Sequence, residues 1–202
     1  MLRKDTTEML MKIFNHNSGF AETKELLDNG ISLYYIKKFE NAGVIERIKK
    51  GLYKLSNTES RDFDEFVTIS VLIPGGVICL LSALSYYKLT TYTPWEHYVA
   101  ILRSKKRLNS ITHPPIKYLY FSKKQYELGI TEVQVEGKSF QIYDMEKTIC
   151  DIIRYKDKYG LDIMKEALRN YLNRKDRNLF KLKKYGKELN VKDMEKYLEV
   201  II

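Results

Sequence analysis

The sequence contains few cysteines and no long hydrophobic run. Its 202 residues include two cysteines, Cys79 and Cys150, which lie far apart in apolar surroundings. Neither belongs to a Cys-x-x-Cys pair, so two reduced, buried thiols are the simplest interpretation. No apolar run reaches the roughly 18 residues that a membrane-spanning helix needs. Met1–Asp5 leads into an amphipathic pattern rather than a signal peptide. We therefore expect a cytoplasmic protein with no membrane partner.

Acidic residues are outnumbered by basic ones. The chain has 35 Lys and Arg against 26 Asp and Glu, a net charge of +9, and a pI near 9.3. Such a balance favours polyanionic partners, with nucleic acid first and anionic membrane second. The alternative explanation of the positive charge is a general compositional bias towards lysine and tyrosine. Apolar residues make up 44% of the chain, which is compatible with a packed core and unlike a disordered composition.

A polar stretch without periodicity, Ser56–Ser60, predicts a linker. It divides the sequence into a predicted domain of residues 1–57 and a larger one of residues 58–202. In the first, Gly30 and Gly43 stand where helices end, and Ser32 is a predicted N-cap. The predicted elements are the helices Thr6–His16, Thr23–Asn29 and Leu33–Ala42, followed by the hairpin Val44–Leu55. Three helices, a short glycine-containing turn and a hairpin are the layout of a winged helix-turn-helix.

The third predicted helix has two different faces. Leu33, Ile36 and Phe39 fall on one side of a helical wheel and predict its core face. The other side and the hairpin carry groups that reach phosphates and base edges. The residues predicted to bind DNA are Ser32, Tyr34, Lys37, Lys38, Asn41, Arg47, Lys49 and Lys50. The alternatives are that these groups form an ordinary solvated helix face or that the domain is a protein-docking module.

The larger domain alternates strands and helices and is helical in its last third. The whole chain is therefore predicted to be α+β: a winged helix-turn-helix followed by a mixed α/β domain. The predicted elements are helices Phe63–Leu72 and Leu81–Tyr87, the apolar stretch Val77–Cys79, strands His97–Leu102, Ile116–Phe121, Thr131–Val135 and Phe140–Tyr143, and helices Met145–Tyr155, Leu161–Leu172 and Val191–Ile202.

No catalytic constellation is visible in the sequence. Asp144 is predicted to cap a helix, with Glu146 in its first turn. Asp151 is expected to pair with Lys147 or with Arg154. The three histidines lack metal-ligand spacing. We therefore predict no catalytic residue, metal or cofactor, and an enzyme that acts on nucleic acid is the least favoured class.

A basic run lies near the C-terminus. Between residues 169 and 187, eight cations face a single acid, Asp176. They are Arg169, Arg174, Lys175, Arg177, Lys181, Lys183, Lys184 and Lys187. A solvated helix face is one interpretation; a surface for DNA, for tRNA or for an acidic protein patch is the other.

Three stretches together resemble the AbiE-type (AbiEi) antitoxins of bacterial type IV, abortive-infection toxin–antitoxin systems. They are DNGISLYYIKKFENAGVIERIKKGLYKL from Asp28, ICLLSALSYYKLT from Ile78, and YDMEKTICDIIRYKDKYGLDIMKEAL from Tyr143. The resemblance runs through most of the chain. It implies an N-terminal domain that represses its own operon by binding promoter DNA. It also implies a C-terminal domain that neutralises a nucleotidyltransferase-like toxin, with or without direct contact. A stand-alone winged-helix regulator with a ligand-sensing or assembly domain is the alternative.

Overall fold

The computed structural model describes residues 4–17, 19–56, 63–105, 111, 114–135 and 137–201. The chain forms two compact units. The first comprises Met1–Asp64 and Glu136–Lys138, and the second comprises Glu65–Val135 and Ser139–Ile202. Apart from Ser56, the predicted linker lies outside the described residues, so the domain boundary at residue 57 stays a prediction.

The first unit combines three helices with an antiparallel sheet. The helices are α1 (Lys4–His16), α2 (Thr23–Asp28) and α3 (Leu33–Asn41), and the strands are β1 (Phe20–Glu22), β2 (Ile45–Lys49) and β3 (Leu52–Leu55). The sheet order is β1-β3-β2. The bounds of the three helices and the hairpin agree with the predicted ones within one or two residues. Strand β1 is not predicted, because three residues carry no recognisable period and β1 depends on pairing with β3.

The C-terminal ends of α2 and α3 are each closed by a glycine. At the end of α2, the Gly30 N–H donates to the Leu27 carbonyl (2.9 Å) and the Ile31 N–H donates to the Leu26 carbonyl (2.9 Å). Gly30 has a φ of +83°, a left-handed conformation that favours glycine. The same pair of bonds recurs at Gly43, whose φ is +69°. Both closures satisfy terminal carbonyl groups, and the one at Gly30 keeps the connection from α2 to α3 short.

One residue that the sequence predicts in the core of the first unit is exposed instead. Ile36 and Phe39 of α3 are buried, but Leu33 is 61% exposed. At about 100° per residue, Leu33 lies only some 40° around the helix axis from Lys37 and at the edge of the apolar face. Ile31, just before the helix, is fully buried and belongs to the same core cluster as Leu26 and Phe39.

The second unit contains eight helices and five strands among its described residues. The helices are α4 (Asp64–Leu72), α5 (Leu80–Tyr86), α6 (Lys123–Glu127), α7 (Met145–Arg154), α8 (Lys156–Tyr159), α9 (Leu161–Leu172), α10 (Leu179–Glu188) and α11 (Met194–Ile201). The strands are β4 (Val77–Ile78), β5 (His97–Leu102), β6 (Ile116–Phe121), β7 (Ile130–Val135) and β8 (Lys138–Tyr143). The mixed α+β class is confirmed. Three helices, α6, α8 and α10, are not among the predicted elements, and α11 starts three residues later than expected.

The five strands form one mixed sheet in the order β6-β5-β4-β8-β7. Strand β4 runs antiparallel to β5 and parallel to β8, and β5 runs parallel to β6. Strands β7 and β8 are neighbours in this sheet, and Glu136, between them in the chain, lies outside the described residues.

Helix α7 is the central helix of the second unit. It packs against α5, α8, α9 and α10, and every residue from Glu146 to Ile153 is buried. A helix that is buried all round is expected to be apolar all round. Yet this one carries Glu146, Lys147 and Asp151, so each of these charged groups needs a partner inside the protein.

Candidate functional site

The exposed face of α3 brings together four of the residues predicted to bind DNA. Tyr34, Lys37, Lys38 and Asn41 are spaced i, i+3, i+4 and i+7, so they lie on one face. Tyr34, Lys37 and Asn41 are exposed, and Lys38 is half-buried. The Lys38 ammonium lies 5.7 Å from the centre of the Tyr34 ring, within the range of a cation–π interaction. Leu33 joins these four around a shallow depression on the helix surface.

Ser32 begins α3 but does not cap it with its side chain. Its backbone is extended (φ −66°, ψ 158°), as at an N-cap, and no hydrogen bond from the helix reaches its hydroxyl. The predicted N-cap position is therefore right, while the predicted capping bond is absent. The residue is exposed at the first turn of the helix, beside Leu33 in the chain.

The hairpin of β2 and β3 displays the other predicted residues. Arg47, Lys49 and Lys50 are exposed, and the register shifts between Arg47 and Lys49, which marks a bulge near the turn. The turn is anchored to the helices, because the Thr23 N–H at the start of α2 donates to the Gly51 carbonyl oxygen (2.8 Å). The two-lysine turn is thus held beside the N-terminus of α2.

Acidic side chains in the first unit limit its positive charge. Residues 1–57 contain ten Lys and Arg and seven Asp and Glu, a net charge of +3. Glu40 is half-buried and Glu46 is exposed. Five of the ten cations lie on the α3 face or at the hairpin turn, namely Lys37, Lys38, Arg47, Lys49 and Lys50, and the other five are spread over the rest of residues 1–57.

The basic run between residues 169 and 187 is only partly a free surface. Arg174 forms a double hydrogen bond with Asp176, with both nitrogen–oxygen distances 2.8 Å. This pairing lowers the pKa of Asp176. Lys181 lies 3.1 Å from Asp144 and 3.5 Å from Glu146. The exposed members of the run are Arg169, Lys175, Arg177, Lys183, Lys184 and Lys187.

Asp144 and Glu146 tie α7 to α9 and α10. The Lys147 N–H donates to Asp144 Oδ1 (2.8 Å), so Asp144 caps α7 as predicted. Glu146 is buried and accepts hydrogen bonds from the Tyr171 hydroxyl (3.0 Å) and the Asn178 N–H (3.1 Å). Burial alone would lower the pKa of Lys181. The hydrogen bond to Asp144 and the negative charges of Asp144 and Glu146 have the larger effect, so the pKa of Lys181 is raised. No local pattern in the sequence indicates this network, because its partners come from α9 and α10.

Asp151 pairs with Lys147 rather than with Arg154. The Lys147 ammonium donates to Asp151 Oδ2, and neither side chain is exposed. The same ammonium lies 4.2 Å from the centre of the Tyr143 ring and 5.0 Å from that of Phe121. Burial raises the pKa of Asp151, while the charge and hydrogen bond of Lys147 oppose the shift. Arg154 donates to the Leu189 carbonyl.

Metal-binding side chains are not clustered in the described part of the chain. No group of three or more His, Cys, Asp or Glu residues gathers there. His97 pairs with Glu65 (2.6 Å), His16 is exposed, and His113 lies outside the described residues. Ser82, one of the serines in the second resembling stretch, accepts a hydrogen bond from the Tyr98 N–H (2.8 Å) and so has a structural role. Across the described residues, no helix is long and apolar enough to cross a membrane.

Comparison with known proteins assigns no family. No protein-family model matches the sequence, and no curated protein matches it either.

Proposed function

We propose that the first unit is a winged helix-turn-helix that binds duplex DNA. The observation that carries the proposal is the exposed face of α3, where Tyr34, Lys37, Lys38 and Asn41 form one stripe. Helix α3 would be the recognition helix in the major groove, with α2 before it and the β2–β3 hairpin as the wing. The order α1-β1-α2-α3-β2-β3 and the short turn at Gly30 support this assignment.

The chemistry of the stripe suits a duplex. Lysine ammonium groups neutralise phosphates or contact guanine, and an asparagine amide pairs with adenine. Lys49 and Lys50 at the hairpin turn would meet the sugar-phosphate backbone beside the groove. Because phosphate contacts release counterions, binding would weaken steeply as salt rises.

We further propose that the whole chain is a type IV antitoxin and a repressor of its own operon. This step rests on the resemblance of the three sequence stretches. The first unit would act on the promoter, and the second would neutralise a nucleotidyltransferase-like toxin encoded beside it. The function proposed for the second unit requires no catalysis.

The DNA-binding proposal is tested by salt-dependent affinity for the operon's own promoter. Replacing Lys37, Lys38, Lys49 and Lys50 by Gln should weaken binding and reduce the slope of log K against log salt by about 0.9 for each phosphate that these lysines neutralise. Lys12→Gln, an exposed lysine on α1, is the matched control and should change little. An unaltered slope in the quadruple variant would place the interface elsewhere.

The antitoxin proposal is tested by growth. Expression of the neighbouring nucleotidyltransferase-like protein alone should arrest growth, and co-expression with the full chain should restore it. The quadruple lysine variant should still restore growth when both proteins are made from a foreign promoter. Retained promoter binding without any rescue would favour a stand-alone regulator instead.

A further inference from the structure

Helix α10 carries an exposed stripe that the proposed function leaves unused. Phe180, Lys183, Lys184 and Lys187 follow the spacing i, i+3, i+4 and i+7 and are all exposed. Phe180 is 81% exposed, the highest value among the large hydrophobic side chains of the described residues. Leu182 and Gly186, on the other side of the helix, are buried. The stripe is thus the outer face of a helix that is firmly packed on its inner face.

The stripe borders a groove. Phe180 and the three lysines line it from α10, and Met194 and Lys196 line it from α11. Its volume is about 980 Å³, at the upper end of the range for ligand sites. Four lysines and two carboxylates, Asp193 and Glu195, border it, so its charge is positive overall.

The lysines of the stripe are weakly neutralised. Among the described residues, Lys184 alone of the three has a carboxylate within 4.0 Å. Its partner is Glu188 at 3.9 Å, and 61% of the Lys184 side chain remains exposed. Such a pair contributes little. Lys181 on the same helix shows the contrast, because it is half-buried and is paired with Asp144 and Glu146. The charge that faces outward is therefore that of Lys183, Lys184 and Lys187.

We infer that this groove binds single-stranded nucleic acid, with Phe180 as a stacking platform and the three lysines along the phosphates. Single-strand binding combines a positively charged groove with exposed aromatic rings on which bases stack. A base paired in a duplex does not offer its face to such a ring, whereas an unpaired base does. The inference is independent of duplex binding by the first unit.

The experiment measures fluorescence anisotropy of the full chain with labelled dT20 and rU20, so that DNA and RNA are compared directly. Phe180→Ala should raise the Kd about five-fold or more, and Phe180→Tyr should leave it within about two-fold because the ring is retained. Trp95→Ala is the matched control, since Trp95 is 77% exposed elsewhere in the second unit. It should have no effect.

A second pair of variants tests the phosphate contacts. Lys183→Gln with Lys187→Gln should reduce the salt slope by about 1.4, because each phosphate contact on a single strand contributes about 0.7. Lys124→Gln with Lys165→Gln, two exposed lysines on other helices, should leave the slope unchanged. Lys37→Gln with Lys38→Gln should lower duplex binding only, which separates the two proposals.

Three results would overturn the inference. The first is the absence of saturable binding to either oligonucleotide. The second is an equal loss of affinity in the Phe180→Ala and Trp95→Ala variants. The third is that a labelled poly-glutamate peptide binds with the same dependence on Phe180 and displaces the oligonucleotide. Such a result would make the groove a site for an acidic protein.

Discussion

Lys147 and Asp151 form an ion pair in which neither side chain is exposed to solvent. They are one helical turn apart on α7, the buried helix against which α5, α8, α9 and α10 pack. Two aromatic rings, Tyr143 and Phe121, flank the ammonium. In such a place each charge is tolerated only because the other is present.

We therefore expect Asp151→Asn to destabilise the protein strongly, because it leaves the Lys147 charge buried and unpaired. The expected loss in the free energy of unfolding is about 3–5 kcal/mol, measured by urea denaturation. The double variant Lys147→Met with Asp151→Leu should be as stable as the wild type, or more stable by up to about 4 kcal/mol.

Another i,i+4 pair provides the control for this prediction. Lys123 and Glu127 on α6 lie 4.0 Å apart and are largely exposed. Glu127→Gln should cost less than about 0.5 kcal/mol. A cost for Asp151→Asn no larger than that of Glu127→Gln would contradict the view that the buried pair is essential to the fold.

Glu166 gives the second unit a pH-dependent anchor. Its carboxylate on α9 accepts hydrogen bonds from the Thr91 N–H and the Thr90 hydroxyl, both 2.8 Å. The bond from the Thr91 backbone is the main cause that lowers the pKa of Glu166. Because the folded state favours the ionised form, the stabilisation is complete above the unfolded pKa of about 4.3 and is lost as the pH falls through the lower, folded pKa.

The Glu166→Gln variant should therefore be less stable than the wild type at pH 7, by about 1 kcal/mol, and the difference should vanish towards pH 3. The measurement is urea denaturation at a series of pH values. Glu132→Gln, at an exposed position on β7, should show no such trend. A difference for Glu166→Gln that stays constant down to pH 3 would mean that the carboxylate charge has no part in the anchor.

The two thiols should be unreactive in the native protein. Cys79 and Cys150 are free and buried. Burial raises the pKa of Cys150 to about 12 and that of Cys79 well above its usual value. Since the thiolate is the reactive form, Ellman's reagent at pH 8 should label neither thiol quickly, and both should react once urea unfolds the chain. Rapid labelling of one thiol in the folded state would show that its surroundings open.

The sequence predicts best the elements that carry their own period. The strand His97–Leu102 and the helix Leu161–Leu172 have the predicted bounds, because alternation and amphipathic spacing are local properties. Helix α10 has such a signal, in Leu179, Leu182 and Leu189 after the capping residue Asn178, but the many lysines between them make positive charge its more visible feature. Strand β1 has none, because it exists only through its partner.

Side-chain surroundings are predicted less well than elements. The exposure of Lys37, Lys49 and Lys50 follows from the pattern, but that of Leu33 does not, because Leu33 lies at the edge of the apolar face and is exposed. Lys181 is predicted as one cation of a surface run, whereas the packing of α10 against α7 places it beside Asp144. A contact between elements that are distant in sequence decides the position of Lys181.

If α3 is the recognition helix, the exposure of Leu33 predicts that the protein recognises a particular base in the DNA. An apolar side chain near the start of such a helix contacts the C5-methyl group of thymine. A duplex selected from a random pool by the wild-type protein should therefore contain a thymine that Leu33 reads. Replacing that thymine by uracil removes one methyl group, which is worth about 0.8 kcal/mol or about four-fold in affinity.

The test is a double-mutant cycle between protein and DNA. Each thymine of the selected duplex is replaced in turn by uracil, and the Kd is measured for wild type and for Leu33→Ala. At one position, the substitution should weaken wild-type binding about four-fold and leave Leu33→Ala binding unchanged. Leu27→Ala, which truncates an exposed leucine on α2, should keep the full sensitivity to uracil. At every position, the change from thymine to uracil could instead alter the Kd of the wild type and of Leu33→Ala by the same factor. Leu33 would then not contact a thymine methyl group, and its exposure would need another cause.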